Sequence, residues 1–123
     1  MKTIFVTDDS PTARASISYV LKESGYSVLL GENGVDALNK IKDCTDNIEL
    51  FLCDVNMPKM DGITLVSEIR KIQKCKFTPI LMLTTESQES KKMEAKNAGA
   101  SGWIVKPFEP EQLVGLVRRF VKV

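Results

Sequence analysis

The sequence predicts an α/β domain built on an open parallel β-sheet, and three observations lead to this prediction. Short apolar runs of the length of buried strands alternate with longer segments of helical periodicity. The connections between these segments are short and rich in Gly, Pro, Asn and Asp. The alternation repeats five times within 123 residues, which is typical of βαβ units. We therefore expect one domain over residues 1–123.

The first half of the chain predicts three strands and two helices. The strands are expected at residues 2–7, 26–30 and 48–53. Ser10 followed by Pro11 suits the N-cap and first position of a helix that ends at Gly25. A second helix should begin after Asn33-Gly34. The residues expected to face inward from it are Val35, Leu38 and Ile41.

The second half predicts two strands and three helices. The strands are expected at residues 78–83 and 102–105. Asp61 before Gly62 suits the N-cap of the third helix. The fourth helix, at about residues 87–98, has Met93 as its only large apolar residue, so we expect light packing there. The fifth helix should run from Pro110 to the C-terminus.

Composition excludes several classes of function. Lys and Arg number 17 and Asp and Glu number 16, for a net charge of +1, so nucleic acid is not expected as the main partner. No apolar stretch approaches the roughly 20 residues of a membrane helix, and no signal-peptide pattern opens the chain. With three scattered cysteines and no histidine, we expect a reducing cytoplasm rather than a zinc site or disulfides.

Most of the predicted strands end on a residue suited to phosphate or metal chemistry. In open α/β sheets, ligands bind at the carboxyl ends of the strands. The fold therefore gathers residues from distant parts of the chain onto one edge of the sheet. These residues are Asp8, Asp9, Asp54, Thr84 and Lys106.

Such a cluster suits phosphoryl transfer onto a carboxylate. Neighbouring carboxylates repel one another, and a divalent cation relieves that repulsion. Ligand sets made only of oxygen favour Mg²⁺. An Asp can accept a phosphoryl group as a nucleophile, and Asp54 is the best candidate because its strand lies between the others. Taken singly, Asp8 and Asp9 could cap a helix, Asp54 could belong to a turn and Lys106 to a solvated loop.

The joint motifs resemble the receiver domain of two-component response regulators, and the resemblance covers the whole chain. The motifs are D-D at Asp8, D-x-N-M-P-x-M-D-G from Asp54, T-T at Thr84, A-G-A at Ala98 and K-P-F at Lys106. The ending K-P-F-x-P-E-x-L is most similar to the single-domain, CheY-like chemotaxis type. This resemblance implies a flavodoxin-like, doubly wound sheet of order 2-1-3-4-5 with five helices.

The resemblance also implies a role for each site residue. Asp54 would be the phosphoacceptor, and Mg²⁺ would be bound by Asp9 and Asp54 directly, by Asp8 through water and by the backbone carbonyl of Asn56. Thr84 and Lys106 would contact the phosphoryl group, and the bond before Pro107 would be cis. Asn56 and Glu86 would tune dephosphorylation. The residues implied to switch are Thr84 and Trp103, and Trp103 could instead be a fixed anchor.

A histidine kinase is the implied phosphodonor, and the implied output is partner binding on the face formed by helix 4, strand 5 and helix 5. The flagellar motor switch is one possible partner. The protein would be a monomer, with a dimer possible on activation. It would not be an enzyme, because it would catalyse only the phosphorylation and dephosphorylation of its own Asp54. Three alternatives stay open: a phosphorelay intermediate, a metal-dependent phosphatase with an aspartyl nucleophile and a flavin-binding carrier. Asn56 in place of an acid argues against the phosphatase, and the acidic loop after strand 1 argues against the flavin protein.

Overall fold

The chain folds as a five-stranded parallel sheet flanked by helices on both faces. The structure is a computed structural model that describes residues 1–85 and 89–123. At position 89 it describes only the backbone. The strands are β1 (Thr3–Thr7), β2 (Ser27–Gly31), β3 (Ile48–Asp54), β4 (Ile80–Thr84) and β5 (Gly102–Val105). The helices are α1 (Pro11–Glu23), α2 (Gly34–Asp43), α3 (Gly62–Arg70), α4 (Glu89–Ala98) and α5 (Pro110–Phe120). The sheet order is β2-β1-β3-β4-β5 with all pairs parallel, which confirms the predicted fold class.

Three helices begin at capping side chains, and the sequence predicts two of these caps, Ser10 and Asp61. The Ser10 hydroxyl accepts the amide of Ala13 at 3.2 Å, and Asn33 caps α2 in the same way. The Asp61 carboxylate accepts the amide of Thr64 at 2.9 Å. Because these side chains satisfy amides that lack a partner within the helix, they determine where each helix begins after its loop.

Two apolar clusters cover the two faces of the sheet. One contains Phe5, Phe51 and residues of α2 and α3, and Trp103 packs against it. The other contains Ile4, Leu50 and residues of α1 and α5, and Ile104 packs against it. Successive residues of β5 therefore face opposite clusters, as strand alternation predicts.

The structure corrects several details of the expected packing. Val35 was expected to face inward but is 41% exposed, whereas Ala37 is fully buried. Leu38 and Ile41 are buried as expected, so the buried stripe of α2 differs from the prediction only in that Gly34 and Ala37, rather than Val35, complete it. On α4, Met93 is 58% exposed, whereas Ala95 is buried. The small side chain of Ala95, rather than Met93, therefore packs against the core. A 3₁₀ turn at Gln73–Cys75 was not predicted.

Within the described ranges, no helix combines the length and apolar character that crossing a membrane requires.

Candidate active site

Three carboxylates converge at the carboxyl edge of the sheet. Asp8 follows β1 and Asp54 ends β3, and the two strands are neighbours with Thr7 opposite Cys53. One oxygen from each of Asp8, Asp9 and Asp54 lies within 4.8 Å of the others. Asp8 and Asp54 are buried, whereas Asp9 is exposed. The cluster is thus closed on the protein side and open to solvent through Asp9, as a cation that keeps several waters requires.

Asp8 is held by contacts to its backbone and to its side chain. Its carboxylate accepts the amide of Ser10 at 3.0 Å and the ammonium of Lys106 at 2.7 Å. Its backbone carbonyl accepts Arg14 Nη1 at 2.7 Å, and its amide donates to the carbonyl of Gly31. The sequence marked Ser10 only as a helix cap and did not mark Arg14, because hydrogen bonds to backbone atoms leave no sequence motif.

Lys106 lies between the two buried acids. Its ammonium is 2.7 Å from Asp8 Oδ2 and 3.7 Å from Asp54 Oδ1. The Lys106 amide donates to the carbonyl of Thr84 at 2.6 Å, and the bond from Lys106 to Pro107 is cis. The structure therefore brings Lys106 to the acid cluster across 98 residues of chain.

The surroundings of Asp54 oppose its ionisation. Burial raises the pKa of its carboxyl, the charge of Asp8 raises it further, and Lys106 and the amide of Asn56 lower it, so that it lies at about 7. Its ordinary value is 3.8. A bound cation would favour the charged form of Asp54. The donor set, made only of oxygen atoms, therefore fits Mg²⁺.

Thr84 lies on β4, next to β3, and Trp103 lies on β5, the edge strand beyond β4. Thr84 is fully buried at the end of β4, opposite Val105. Trp103 is half-buried and lies opposite Met82. Its indole N–H is buried and has no hydrogen-bond partner among the residues that the structure describes. A buried donor left unpaired costs about 1–3 kcal/mol, so the observed packing of this indole is not strongly favoured.

Gly62 is a site residue whose role the sequence did not reveal. Its amide donates to the carbonyl of Val55 at 2.9 Å, and a Cβ atom here would collide with the carbonyl of Asp54. The start of α3 therefore lies directly against the backbone that carries Asp54. The Asp61-Gly62 pair was interpreted as a helix cap, but the close approach also requires the glycine.

The remaining predicted residues lie around this centre. Asn56 is exposed on the loop after β3, and Glu86 lies outside the described residues. On the face formed by α4, β5 and α5, Val105 is 39% exposed and Phe120 is 38% exposed. Two apolar side chains of this face are thus partly open to solvent.

Comparisons with known proteins agree with this geometry. The model of the response regulator receiver domain matches residues 4–118. Chemotaxis protein CheY1 of Helicobacter pylori is 40% identical over 111 residues, which are 89% of this chain and 89% of that protein. The structure of Vibrio cholerae chemotaxis protein CheY4 has a TM-score of 0.93 and 41% identity, and the match covers 98% of this chain and 99% of that one.

Two further matches are to parts of sensor kinases. The sensor histidine kinase CheAY of Helicobacter pylori is 35% identical over 98% of this chain, which spans 15% of that protein. The receiver domain of sensor histidine kinase PA1611 from Pseudomonas aeruginosa has a TM-score of 0.87 and 25% identity, and the match covers 97% of this chain and 96% of that one. That structure holds a magnesium ion in its active site cleft.

Proposed function

Because this chain belongs to the response regulator receiver domain family and is of the CheY type, we propose that Asp54 accepts a phosphoryl group from a histidine kinase in a Mg²⁺-dependent reaction. The resulting change would alter the binding of an output protein in chemotaxis signalling. Residues 1–123 would form one receiver domain. CheY-like receiver domains are typically signalling domains rather than enzymes, and the proposed chemistry is confined to the chain's own Asp54.

One observation carries this proposal: three carboxylates with oxygens within 4.8 Å of one another, beside one lysine. Lys106 alone cannot neutralise three carboxylates, and burial together with the charge of Asp8 raises the pKa of Asp54. Asp9 and Asp54 would bind Mg²⁺ directly, Asp8 through water and Asn56 through its backbone carbonyl. The bound ion would supply positive charge at the oxygens of the phosphoryl group.

The protein's own groups would perform the transfer. An oxygen of the Asp54 carboxylate attacks the phosphorus atom, and the bond to the donor breaks as the donor keeps the electron pair. Lys106 would leave its ion pairs with Asp8 and Asp54 and contact a phosphoryl oxygen instead. Thr84, buried at the end of the neighbouring strand, would donate its hydroxyl to another. Positioning these donors in a buried site is the main contribution that such chemistry asks of a protein.

The output would be binding on the face formed by α4, β5 and α5, where apolar side chains are partly exposed. The partner would be a signalling protein such as the flagellar motor switch. The chain would be a cytoplasmic monomer, with dimer formation on activation as a second use of the same face.

Acetyl phosphate provides the test of this proposal. Incubation with acetyl phosphate and Mg²⁺ should add one phosphoryl group to the chain, as measured by intact-protein mass spectrometry. Borohydride reduction followed by peptide mapping should place the modification at Asp54. Equal labelling in EDTA, or modification of another residue, would refute the proposed site.

We expect occupation of Asp54 to change the environment of Trp103, the only tryptophan in the chain. If Thr84 moves toward the phosphoryl group, the space it leaves can admit the indole, whose N–H has no partner in the present packing. Beryllofluoride with Mg²⁺ should therefore shift the emission of Trp103 and reduce its quenching by iodide. Thr84→Ala should weaken both effects. Flat signals at full occupancy would show that Trp103 is a fixed anchor.

Asn56 should affect how long the phosphoryl group persists. The residue is exposed and lies two positions after Asp54, where water would approach the phosphorus atom. Glu86, outside the described residues, is proposed to flank the same path. Asn56→Lys should slow autodephosphorylation severalfold by narrowing this approach, as measured by loss of radiolabelled phosphate. Unchanged or faster decay would contradict a water path past Asn56.

A further inference from the structure

We propose that Arg14 is a positioning residue for the cation site. It would hold the peptide between Asp8 and Asp9 in the orientation that directs both carboxylates toward one Mg²⁺ ion. This inference rests on the proposed Mg²⁺ site and concerns a residue that contacts neither the ion nor the phosphoryl group.

The backbone on both sides of Asp8 is fixed by hydrogen bonds. On the N-terminal side, the Asp8 amide donates to the carbonyl of Gly31 at 3.2 Å. On the C-terminal side, the Asp8 carbonyl accepts Arg14 Nη1 at 2.7 Å. That carbonyl belongs to the peptide that leads into Asp9, so the bond from Arg14 controls the rotation of this peptide and the direction in which the Asp9 side chain leaves the backbone.

Asp9 depends on this bond more than Asp8 does. The Asp8 carboxylate is also held directly, by the amide of Ser10 and by Lys106. Asp9 is exposed, and within the described part of the chain no hydrogen bond holds its carboxylate. Repulsion from the two buried acids favours turning Asp9 away, and the fixed backbone is what opposes that movement.

Arg14 is well placed and well supported for this role. Its amide donates to the carbonyl of Ser10 at 2.9 Å, so it lies in the first turn of α1, where a long side chain points back toward the helix start. Its guanidinium also attracts the carboxylate of Asp36, on α2. Asp36 in turn accepts the amide of Glu32 at 3.0 Å and pairs with Lys40. Arg14 thus joins the first turn of α1 to the loop that carries Asp8 and Asp9.

Charge and positioning predict opposite effects, which makes the inference testable. If Arg14 acted only as a positive charge near a cation site, its removal would strengthen Mg²⁺ binding. If it orients the peptide before Asp9, its removal should weaken Mg²⁺ binding. Salt separates the two further, since 0.5 M KCl screens a charge effect and leaves a positional effect in place.

The experiment is calorimetric titration of the unphosphorylated protein with MgCl₂, in low and high KCl. Arg14→Met keeps the aliphatic stem and removes the donors, and we expect it to bind Mg²⁺ about tenfold more weakly, as loss of a partner that orients a metal ligand commonly does. Arg14→Lys keeps a donor of similar reach and should recover most of the affinity. Should Arg14→Met fail to fold, Arg14→Gln replaces it, because the shorter neutral side chain should weaken binding in the same direction.

The outcomes separate this inference from the function on which it rests. Unchanged or tighter Mg²⁺ binding by folded Arg14→Met, beside normal binding by the unsubstituted protein, would overturn the role of Arg14 alone. A loss of Mg²⁺ affinity in Arg14→Met that is seen in low KCl but disappears in high KCl would overturn it as well. Absence of Mg²⁺ binding by the unsubstituted protein would overturn the proposed function and this inference with it.

Discussion

Replacing Asp54 by Asn should abolish phosphorylation by acetyl phosphate and by a histidine kinase. The amide has no negative oxygen to attack the phosphorus atom, and Asp54 is the buried acid that ends the central strand. Labelling should fall below detection by mass spectrometry, a loss of at least about a hundredfold if the nucleophile contributes as in other covalent catalysis.

Asp46→Asn is the matched control for this substitution. Asp46 is an exposed acid on the loop before β3, far from the carboxyl edge, so this change should leave labelling intact. Normal labelling of Asp54→Asn would contradict the assignment of the phosphoacceptor.

Asp54→Asn should also stabilise the protein when no divalent cation is present. The pKa of Asp54 is about 7 in the folded protein and 3.8 ordinarily. Ionisation therefore costs folding free energy that is absent below about pH 4, grows as the pH rises toward 7 and is constant above. The attraction of Asp54 to Lys106 already enters the pKa of about 7. In EDTA at pH 8, Asp54→Asn should therefore raise the free energy of unfolding by about 2–4 kcal/mol.

Urea denaturation at two pH values provides the measurement. The gain in stability should be clear at pH 8 and small at pH 4, and saturating Mg²⁺ should reduce it at pH 8 because the ion stabilises only the unsubstituted site. An equal gain at both pH values would indicate better packing of the amide rather than relief of charge.

Asp9→Ala should have the second large effect, the loss of at least about tenfold in Mg²⁺ affinity. Asp9 is the exposed member of the acid cluster, so it is the carboxylate that an entering ion meets first. Because its removal also relieves repulsion at Asp8 and Asp54, the ion-free variant should unfold at a higher temperature than the unsubstituted protein.

Calorimetric titration with MgCl₂ and thermal melting in EDTA would measure both effects. Asp46→Ala, which removes an acid of the same type from a remote loop, should change neither. Unaltered affinity in Asp9→Ala would show that this carboxylate does not bind the ion directly.

The strand ends were the part of the structure most open to prediction from sequence. Buried parallel strands are apolar on both faces, so the polar residue that ends such a run is conspicuous. This is why Asp54, Thr84 and Lys106 could be assigned to one edge before their geometry was known. The helix caps at Ser10 and Asp61 were equally readable, because the capping residue types are few.

The features that the sequence did not predict depend on how a helix is rotated against the sheet and on how far a long side chain extends. The inward stripe of α2 was misjudged at Val35, since an apolar residue in a first helical turn is not committed to the core until the helix is docked. The contact from Arg14 to the Asp8 carbonyl could not be predicted, because a side chain bonded to a backbone atom needs no partner of a given type. The unpaired indole N–H of Trp103 likewise depends on its neighbours.

The position of Lys106 means that the resting protein carries its own competitor for the cation. An ammonium group 2.7 Å from Asp8 and 3.7 Å from Asp54 already takes up part of the negative potential that would attract Mg²⁺. In the proposed site, binding of Mg²⁺ would then exchange one positive group for another. The affinity for Mg²⁺ would report the free-energy difference between the lysine-paired and the Mg²⁺-bound site, and the displaced ammonium group would be available to a phosphoryl oxygen. A tethered cation of this kind offsets part of the repulsion among the three carboxylates in the protein without Mg²⁺.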